Sequence, residues 1–88
     1  MSGSVFTRAT VVDVLRAAGL PVPLSLERCI ICPLHDDHRP SFKVVGANAT
    51  GWVCFAGCGK GGIAELIIRL GHATDRGEAA RWLEERVR

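Results

Sequence analysis

The alternation of apolar and polar positions along the chain predicts three helices, of which the first covers residues 10–18. Apolar residues recur there on one helical face. Thr10 and Asp13 have the spacing of a capping box, in which each side chain caps the backbone of the other residue. Gly19 and the prolines at positions 21 and 23 end the helical pattern. This segment is therefore expected to form a short helix with one buried face.

The other two helices are predicted in the last third of the chain. The apolar face of the second comprises Ile63, Leu66, Ile67 and Leu70. Gly71 follows as a residue that ends a helix. Asp75 and Glu78 mark the start of the third helix, because acidic residues are favoured in a first turn. The face of this helix that is expected to enter the core comprises Ala79, Trp82, Leu83 and Val87.

The middle of the chain has the alternation of a β-hairpin. The segments SFKVVG, residues 41–46, and GWVCF, residues 51–55, are short and rich in strand formers. Residues 46–51, GANATG, supply the turn between them. Phe42 and Val44 share one face, and that face is expected to pack on the second helix and on Trp82. The sequence thus predicts a single α+β domain, residues 1–88, with a small zinc-ribbon-like antiparallel sheet flanked by three helices.

Composition limits what such a domain can be. At 88 residues and 6% aromatic content the core is small, and domains of this size often gain stability from a metal ion. A net charge of +2 is too low to argue by itself for nucleic-acid binding. The chain shows neither a long apolar run nor a signal-peptide pattern, so we expect a cytoplasmic protein without membrane association. In that compartment, four cysteines favour a metal site over disulfides.

Two close pairs of metal-ligand residues lie on either side of the predicted hairpin. Cys32 and His35 are separated by two residues, Cys54 and Cys58 by three, and the eighteen residues 36–53 lie between the pairs. Short spacing lets both side chains of a pair reach one ion, as in zinc ribbons and knuckles. Three thiolates and one imidazole fill a zinc tetrahedron, so the sequence predicts one structural Zn²⁺. Such an ion contributes about 10–16 kcal/mol of apparent free energy to folding.

Cys29 leaves a second ligand set open. Two residues separate it from Cys32, which is also a ligand spacing, so four cysteines without His35 are the rival set. Cys29 is otherwise a small buried hydrophobe or a thiol beside the site. The remaining alternatives for the cluster are two disulfides or four free core thiols.

The segments CPLHDDHRPSFKV and WVCFAGCGKGG resemble the N-terminal zinc-binding domain of bacterial and phage DNA primases. The family has a Cys-Pro-x-His segment, then Pro-Ser-Phe and a strand, then an aromatic residue, Cys-Phe, a second Cys-Gly and glycines before a helix. EAARWLEERV resembles its closing helix and residues 10–18 its opening one, so the resemblance covers nearly the whole chain. This sequence departs from the family in three ways. Three residues separate Cys54 from Cys58, where the family normally has two. Ile63 follows the glycines, where the family often has an acidic or polar residue, and Cys29 is additional.

The resemblance implies a module that holds a single-stranded DNA template and assists primer initiation in DNA replication. In the family the polymerising chemistry belongs to a separate catalytic domain, which is thus an expected partner, with a replicative helicase as another. Asp36 and Asp37 are too few carboxylates to supply that chemistry here. The chain is therefore not expected to be an enzyme by itself.

The predicted single-stranded DNA face comprises Arg39, Lys43, Trp52 and Lys60. Cations follow phosphates and an aromatic ring stacks on bases in such faces. The alternative is that Trp52 packs on a helix and the cations are only solvated. Gly61 and Gly62, at the predicted start of a helix, add a weak phosphate contact through backbone N–H groups.

Two other functions remain open at this point. One is a protein-interaction module of the same fold that docks on a replication protein without binding DNA. The other is a regulator with a reactive thiol, for which Cys29 is the candidate.

Overall fold

The structure is a computed structural model that describes residue 6 and residues 9–25, 27–34 and 40–87. Within these residues it contains three helices and one four-stranded antiparallel sheet, so the predicted α+β class is confirmed. The elements in chain order are α1 (Val11–Ala17), β1 (Ile30–Ile31), β2 (Pro40–Val45), β3 (Gly51–Cys54), β4 (Gly59–Gly62), α2 (Ile63–Arg69) and α3 (Arg76–Glu84). None of these helices is long and apolar enough to cross a bilayer.

Helix α1 begins with the predicted capping box. The Thr10 hydroxyl accepts a hydrogen bond from the Asp13 N–H at 3.2 Å, and the Asp13 carboxylate accepts one from the Thr10 N–H at 2.8 Å. At the other end Gly19 adopts a φ of 74°, where glycine has no steric penalty. The N–H of Val11 donates to the carbonyl of Ala49 at 2.8 Å. This bond fixes the start of α1 on the turn of the hairpin.

Strands β2 and β3 form the predicted hairpin. Their register pairs Phe42 with Cys54 and Val44 with Trp52. Directly paired residues of an antiparallel ladder lie on the same face, so these four side chains share one side of the sheet. All four are buried in the core.

The sheet has two strands in addition to the hairpin, in the order β1-β2-β3-β4. Strand β1 is only two residues long and pairs with β2 through a register shift. Strand β4 pairs with β3 along its whole length, from Gly51 opposite Gly62 to Cys54 opposite Gly59. The sequence predicts only a glycine-rich entry to a helix in this GKGG segment, and the structure shows that it is an edge strand.

The core lies between one face of the sheet and the helices. The rings of Phe42 and Trp52 stack at 5.5 Å between centroids, and the fully buried helical side chains include Leu66, Ile67 and Leu83. Trp82 is at the margin of this core, partly buried, with its ring stacked on His72 at 4.6 Å. The described residues thus bury the hairpin face as predicted and hold Trp82 outside the centre.

Candidate metal centre

Three cysteine sulfurs converge at one end of the sheet. Cys32 follows β1, Cys54 is the last residue of β3, and Cys58 directly precedes β4. Their Sγ atoms all lie within 4.8 Å of one another, and the Sγ atoms of Cys32 and Cys58 are 3.7 Å apart. This thiol cluster therefore joins three separate strand ends.

Backbone N–H groups point at two of these sulfurs. The Leu34 N–H donates to the Sγ of Cys32 at 3.4 Å. Cys54 accepts from the N–H groups of Cys58 and Ala56. A tight turn after Cys54 places these N–H groups near its sulfur. Gly57 lies in this turn with a φ of 103°, a value that favours glycine. Donors directed at sulfur stabilise the thiolate form, which is the form that binds metal.

The surroundings of the three thiols raise the pKa of two of them and lower the pKa of the third. Burial raises the pKa of Cys32 to about 12, and it raises the pKa of Cys58 as well. Burial also raises the pKa of Cys54, but hydrogen bonds from the backbone N–H groups of Cys58 and Ala56 and from the side chains of Ser41 and Cys32 together outweigh it and lower this pKa to about 6. One thiol thus ionises readily, and its negative charge then opposes ionisation of the other two.

A bound cation would allow all three thiols to ionise together. Three thiolates within 4.8 Å repel one another in a poorly solvated site, and a divalent ion between them offsets that repulsion. Zinc binds thiolates well in tetrahedral sites, and the three cysteines could fill three of its four ligand positions. The cluster could therefore hold a metal ion.

The structure brings together three of the four predicted ligands. The fourth, His35, lies outside the described residues. Cys29 is described, is half-buried and does not belong to the thiol cluster, so the rival set of four cysteines is not assembled. No disulfide joins any of the four cysteines, so the alternative of two disulfides is not seen.

The prediction that Trp52 stacks on DNA bases is wrong. The side chain is 1% exposed, one ring face stacks on Phe42, and its Nε1–H donates to the carbonyl of Gly62 at 2.9 Å. The guanidinium of Arg69 lies 5.6 Å from the ring centroid. Trp52 therefore belongs to the core, as the alternative interpretation held.

The expected phosphate contact at Gly61 and Gly62 is also not supported. The Gly62 N–H donates to the carboxylate of Glu65 at 2.8 Å, so an anion of the chain itself already occupies the start of α2. A Cβ on Gly61 would lie 2.9 Å from the Cβ of Glu65 and 3.4 Å from the Trp52 ring. Gly61 thus lets α2 and the Trp52 ring approach β4 closely.

Two of the predicted cations share one surface. Lys43 pairs with Val53, and Val53 pairs with Lys60, so one cross-strand row carries both lysines on the face opposite the core. Two strand spacings separate them by about 10 Å along the sheet. Lys60 is exposed and Lys43 half-buried. Arg39, the third predicted cation, lies outside the described residues.

Sequence reasoning missed two residues beside these sites. Phe55 directly follows β3, and its side chain is 68% exposed. Because side chains alternate along a strand, Phe55 falls on the side of Val53 and the lysines, opposite its neighbour Cys54. Ser41 is buried beside Cys54. Alternation around Cys54 would have identified Phe55 as outward-facing, whereas nothing in the sequence pattern marks Ser41.

Comparison of the sequence with protein-family models and curated proteins, and of the structure with solved structures, gives no match.

Proposed function

We propose that this chain is a zinc-stabilised module that holds single-stranded DNA on the outer face of its sheet and assists primer initiation by a separate catalytic domain. The observation that carries the proposal is the thiol cluster, Cys32, Cys54 and Cys58, at the positions where the primase-like motif has its cysteine ligands. The resemblance of the sequence supplies the replication context.

Zinc is the metal that the ligand chemistry favours. A site dominated by thiolates selects soft or borderline ions, and Zn²⁺ forms closed tetrahedral sites with three cysteines and one histidine. With His35 in the fourth position no coordination place is left for a substrate. The ion then has a structural function, which is to hold the ends of β1, β3 and β4 together.

The ligand set is tested by Co²⁺ absorption and Zn²⁺ competition on single variants. We expect Cys54→Ser and His35→Ala to weaken binding strongly, and Cys29→Ser and His38→Ala to leave it nearly unchanged. The Cys29 and His38 variants are matched controls, because each removes a residue of the same type three positions along the sequence from a predicted ligand. Loss of binding in Cys29→Ser with retention in His35→Ala would establish the rival ligand set.

The DNA face is supported by charge and by an exposed ring. Lys43 and Lys60 provide two cations in one row, and Phe55 provides an aromatic side chain where Trp52 provides none. Cations that follow the backbone and a ring that stacks on a base are the two components of single-strand recognition. On this face the side chains of Phe55 and Lys60 are exposed and that of Lys43 is half-buried.

A fluorescence titration with a short oligonucleotide at two salt concentrations tests this face. We expect Lys43→Ala and Lys60→Ala each to weaken binding and to reduce the magnitude of the logarithmic salt slope by about 0.7. Phe55→Ala should cost about 1–3 kcal/mol of binding free energy and leave the slope nearly intact, because stacking releases no counterions. Arg81→Ala on α3 is the control with the same charge change, and we expect no effect. Equal loss for Arg81→Ala would remove the assignment to this face.

A second candidate is docking on a replication protein without DNA contact. It is favoured by two apolar side chains exposed on the sheet, Ile31 and Val45. If the zinc-loaded wild type shows no salt-dependent binding to single strands, this second function takes the place of the first.

A further inference from the structure

Ser41 is the one polar or charged residue that is buried among the described residues, with 7% of its surface exposed. Its hydroxyl oxygen lies 3.7 Å from the Sγ of Cys54, within hydrogen-bond distance for sulfur. The backbone carbonyl of Ser41 accepts a hydrogen bond from the Phe55 N–H at 2.8 Å. The residue is thus tied to the β3 end by its backbone and directed at a cysteine of the cluster by its side chain.

The direction of this hydrogen bond follows from the state of the sulfur. A thiol can donate or accept, but a metal-bound thiolate has no proton and can only accept. In the metal-loaded centre the Ser41 hydroxyl must therefore be the donor. Together with the N–H groups of Ala56 and Cys58 it completes a set of donors around one sulfur.

We propose that Ser41 is a positioning residue of the metal centre, whose hydroxyl donates to the Cys54 thiolate and fixes the orientation of that sulfur towards the ion. The inference rests on the proposed metal binding by Cys32, Cys54 and Cys58. Groups that orient a ligand in this way change metal affinity by about 10- to 100-fold when they are removed. A hydroxyl donor also lowers the energy of the sulfur lone pairs, so it shifts the sulfur-to-metal charge-transfer band of bound Co²⁺ to shorter wavelength.

The test measures Co²⁺ spectra and Zn²⁺ affinity, by competition with a chromophoric chelator, for wild type and four variants. Ser41→Ala removes the hydroxyl. Ser41→Thr and Ser41→Val form a matched pair, because their side chains have the same shape and differ in the hydroxyl. Val44→Ala, on the same strand, weakens the core without removing a donor to sulfur.

We expect Ser41→Ala to bind Zn²⁺ 10- to 100-fold more weakly, with the charge-transfer band moved to longer wavelength. The Thr variant should bind more tightly than the Val variant by a similar factor, whatever the added methyl group does to both. Val44→Ala should leave the band in place.

Three results would overturn the inference. Equal affinity and equal spectra for the Thr and Val variants would exclude a contribution of the hydroxyl. A loss of affinity in Ser41→Ala that Val44→Ala reproduces, with both bands unchanged, would show a general loss of fold stability. Absence of metal binding by the wild type would overturn the proposed metal centre as well, which distinguishes that failure from the failure of this inference alone.

Discussion

Trp52 connects the metal centre to the core at the scale of single residues. It stands two positions before Cys54 on β3, so both side chains point to the buried face of the sheet. The ring fills the space under the edge strand, where its indole N–H also satisfies the Gly62 carbonyl. Loss of this side chain therefore affects packing and a hydrogen bond together.

We expect Trp52→Ala to lower the free energy of unfolding of the zinc-loaded protein by about 3–5 kcal/mol. Phe55→Ala, on the exposed side, should stay within about 0.5 kcal/mol of wild type. Urea unfolding followed by circular dichroism measures both. A small effect for Trp52→Ala and a large one for Phe55→Ala would reverse the assignment of the two aromatic residues.

A single methyl group added at Gly61 of β4 should be poorly tolerated. An added Cβ would lie 2.9 Å from the Cβ of Glu65 and 3.4 Å from the Trp52 ring. We expect Gly61→Ala to destabilise the protein by about 1–3 kcal/mol, the usual cost of overpacking. The comparison is Gly77→Ala in α3, where the nearest atom is a side-chain oxygen of Asp75 at 3.3 Å and alanine favours the helix. Thermal unfolding that ranks Gly77→Ala as the more harmful change would contradict this packing argument.

The cysteine positions could be predicted from the sequence because ligand spacing is a local property. The intervals indicate Cys32, Cys54 and Cys58 as ligands, and the structure brings their sulfurs together. The function of Trp52 could not be fixed by composition, because an aromatic residue among cations suits both a core and a stacking surface. Side-chain alternation along the strand resolves the ambiguity. If Cys54 is a buried ligand, Trp52 lies on the same buried face and Phe55 on the opposite face.

At the scale of elements, the start of α3 depends on two acidic residues. Asp75 caps the helix by accepting from the Glu78 N–H at 2.8 Å. The carboxylate of Glu78 in turn accepts from the hydroxyl and the N–H of Thr74 at 2.6 and 2.7 Å. These bonds stabilise the charged form, and they lower the pKa of Glu78 from its usual 4.5.

This shift fixes the sign of a pH dependence. A carboxyl group whose pKa is lower in the folded state adds stability above its unfolded value of 4.5, and the contribution is lost as pH falls through the lowered pKa. We expect Glu78→Gln to reduce stability at neutral pH, with a difference from wild type that shrinks in acid. The direct measurement is the ¹³C chemical-shift titration of the Glu78 carboxyl group. A midpoint at or above 4.5 would contradict the hydrogen bonding described for this helix start.

The helices and the β2–β3 hairpin were predictable because their signals are local. The capping box of Thr10 and Asp13 and the periodicity of α2 each depend on residues within one element. Strand β4 was not predictable from propensity, because its three glycines and one lysine are weak strand formers. Its extended form depends on pairing with β3 and on the approach of α2 at Gly61, and both are tertiary effects.

At the scale of the whole molecule, the thiol cluster brings the end of the short strand β1 next to the end of β3 and the start of β4. Cys32 follows a strand of only two residues, and Cys58 precedes an edge strand. An 88-residue chain with few aromatic residues has a limited core. We therefore expect the metal to contribute a large part of the stability of this fold.

Acid should release the metal, because protons compete with it for the same sulfurs. Binding of Zn²⁺ requires each thiol of the cluster to lose its proton, so the apparent affinity must fall steeply as pH decreases. Titration of Zn²⁺ with a chelator at several pH values measures this dependence for wild type and Cys29→Ser. Parallel curves are expected for the two proteins, and a shallower curve for Cys29→Ser would indicate that Cys29 is also deprotonated on binding.

The most direct measurement of the central claim is a Zn²⁺ titration of the reduced, metal-free chain followed by far-ultraviolet circular dichroism. We predict that the metal-free chain lacks most of its helical and strand signal and gains it in step with one equivalent of Zn²⁺. Cys54→Ser should fail to do so, while Cys29→Ser behaves as wild type. A metal-free chain with the full signal, unchanged by added Zn²⁺, would contradict a metal-stabilised fold.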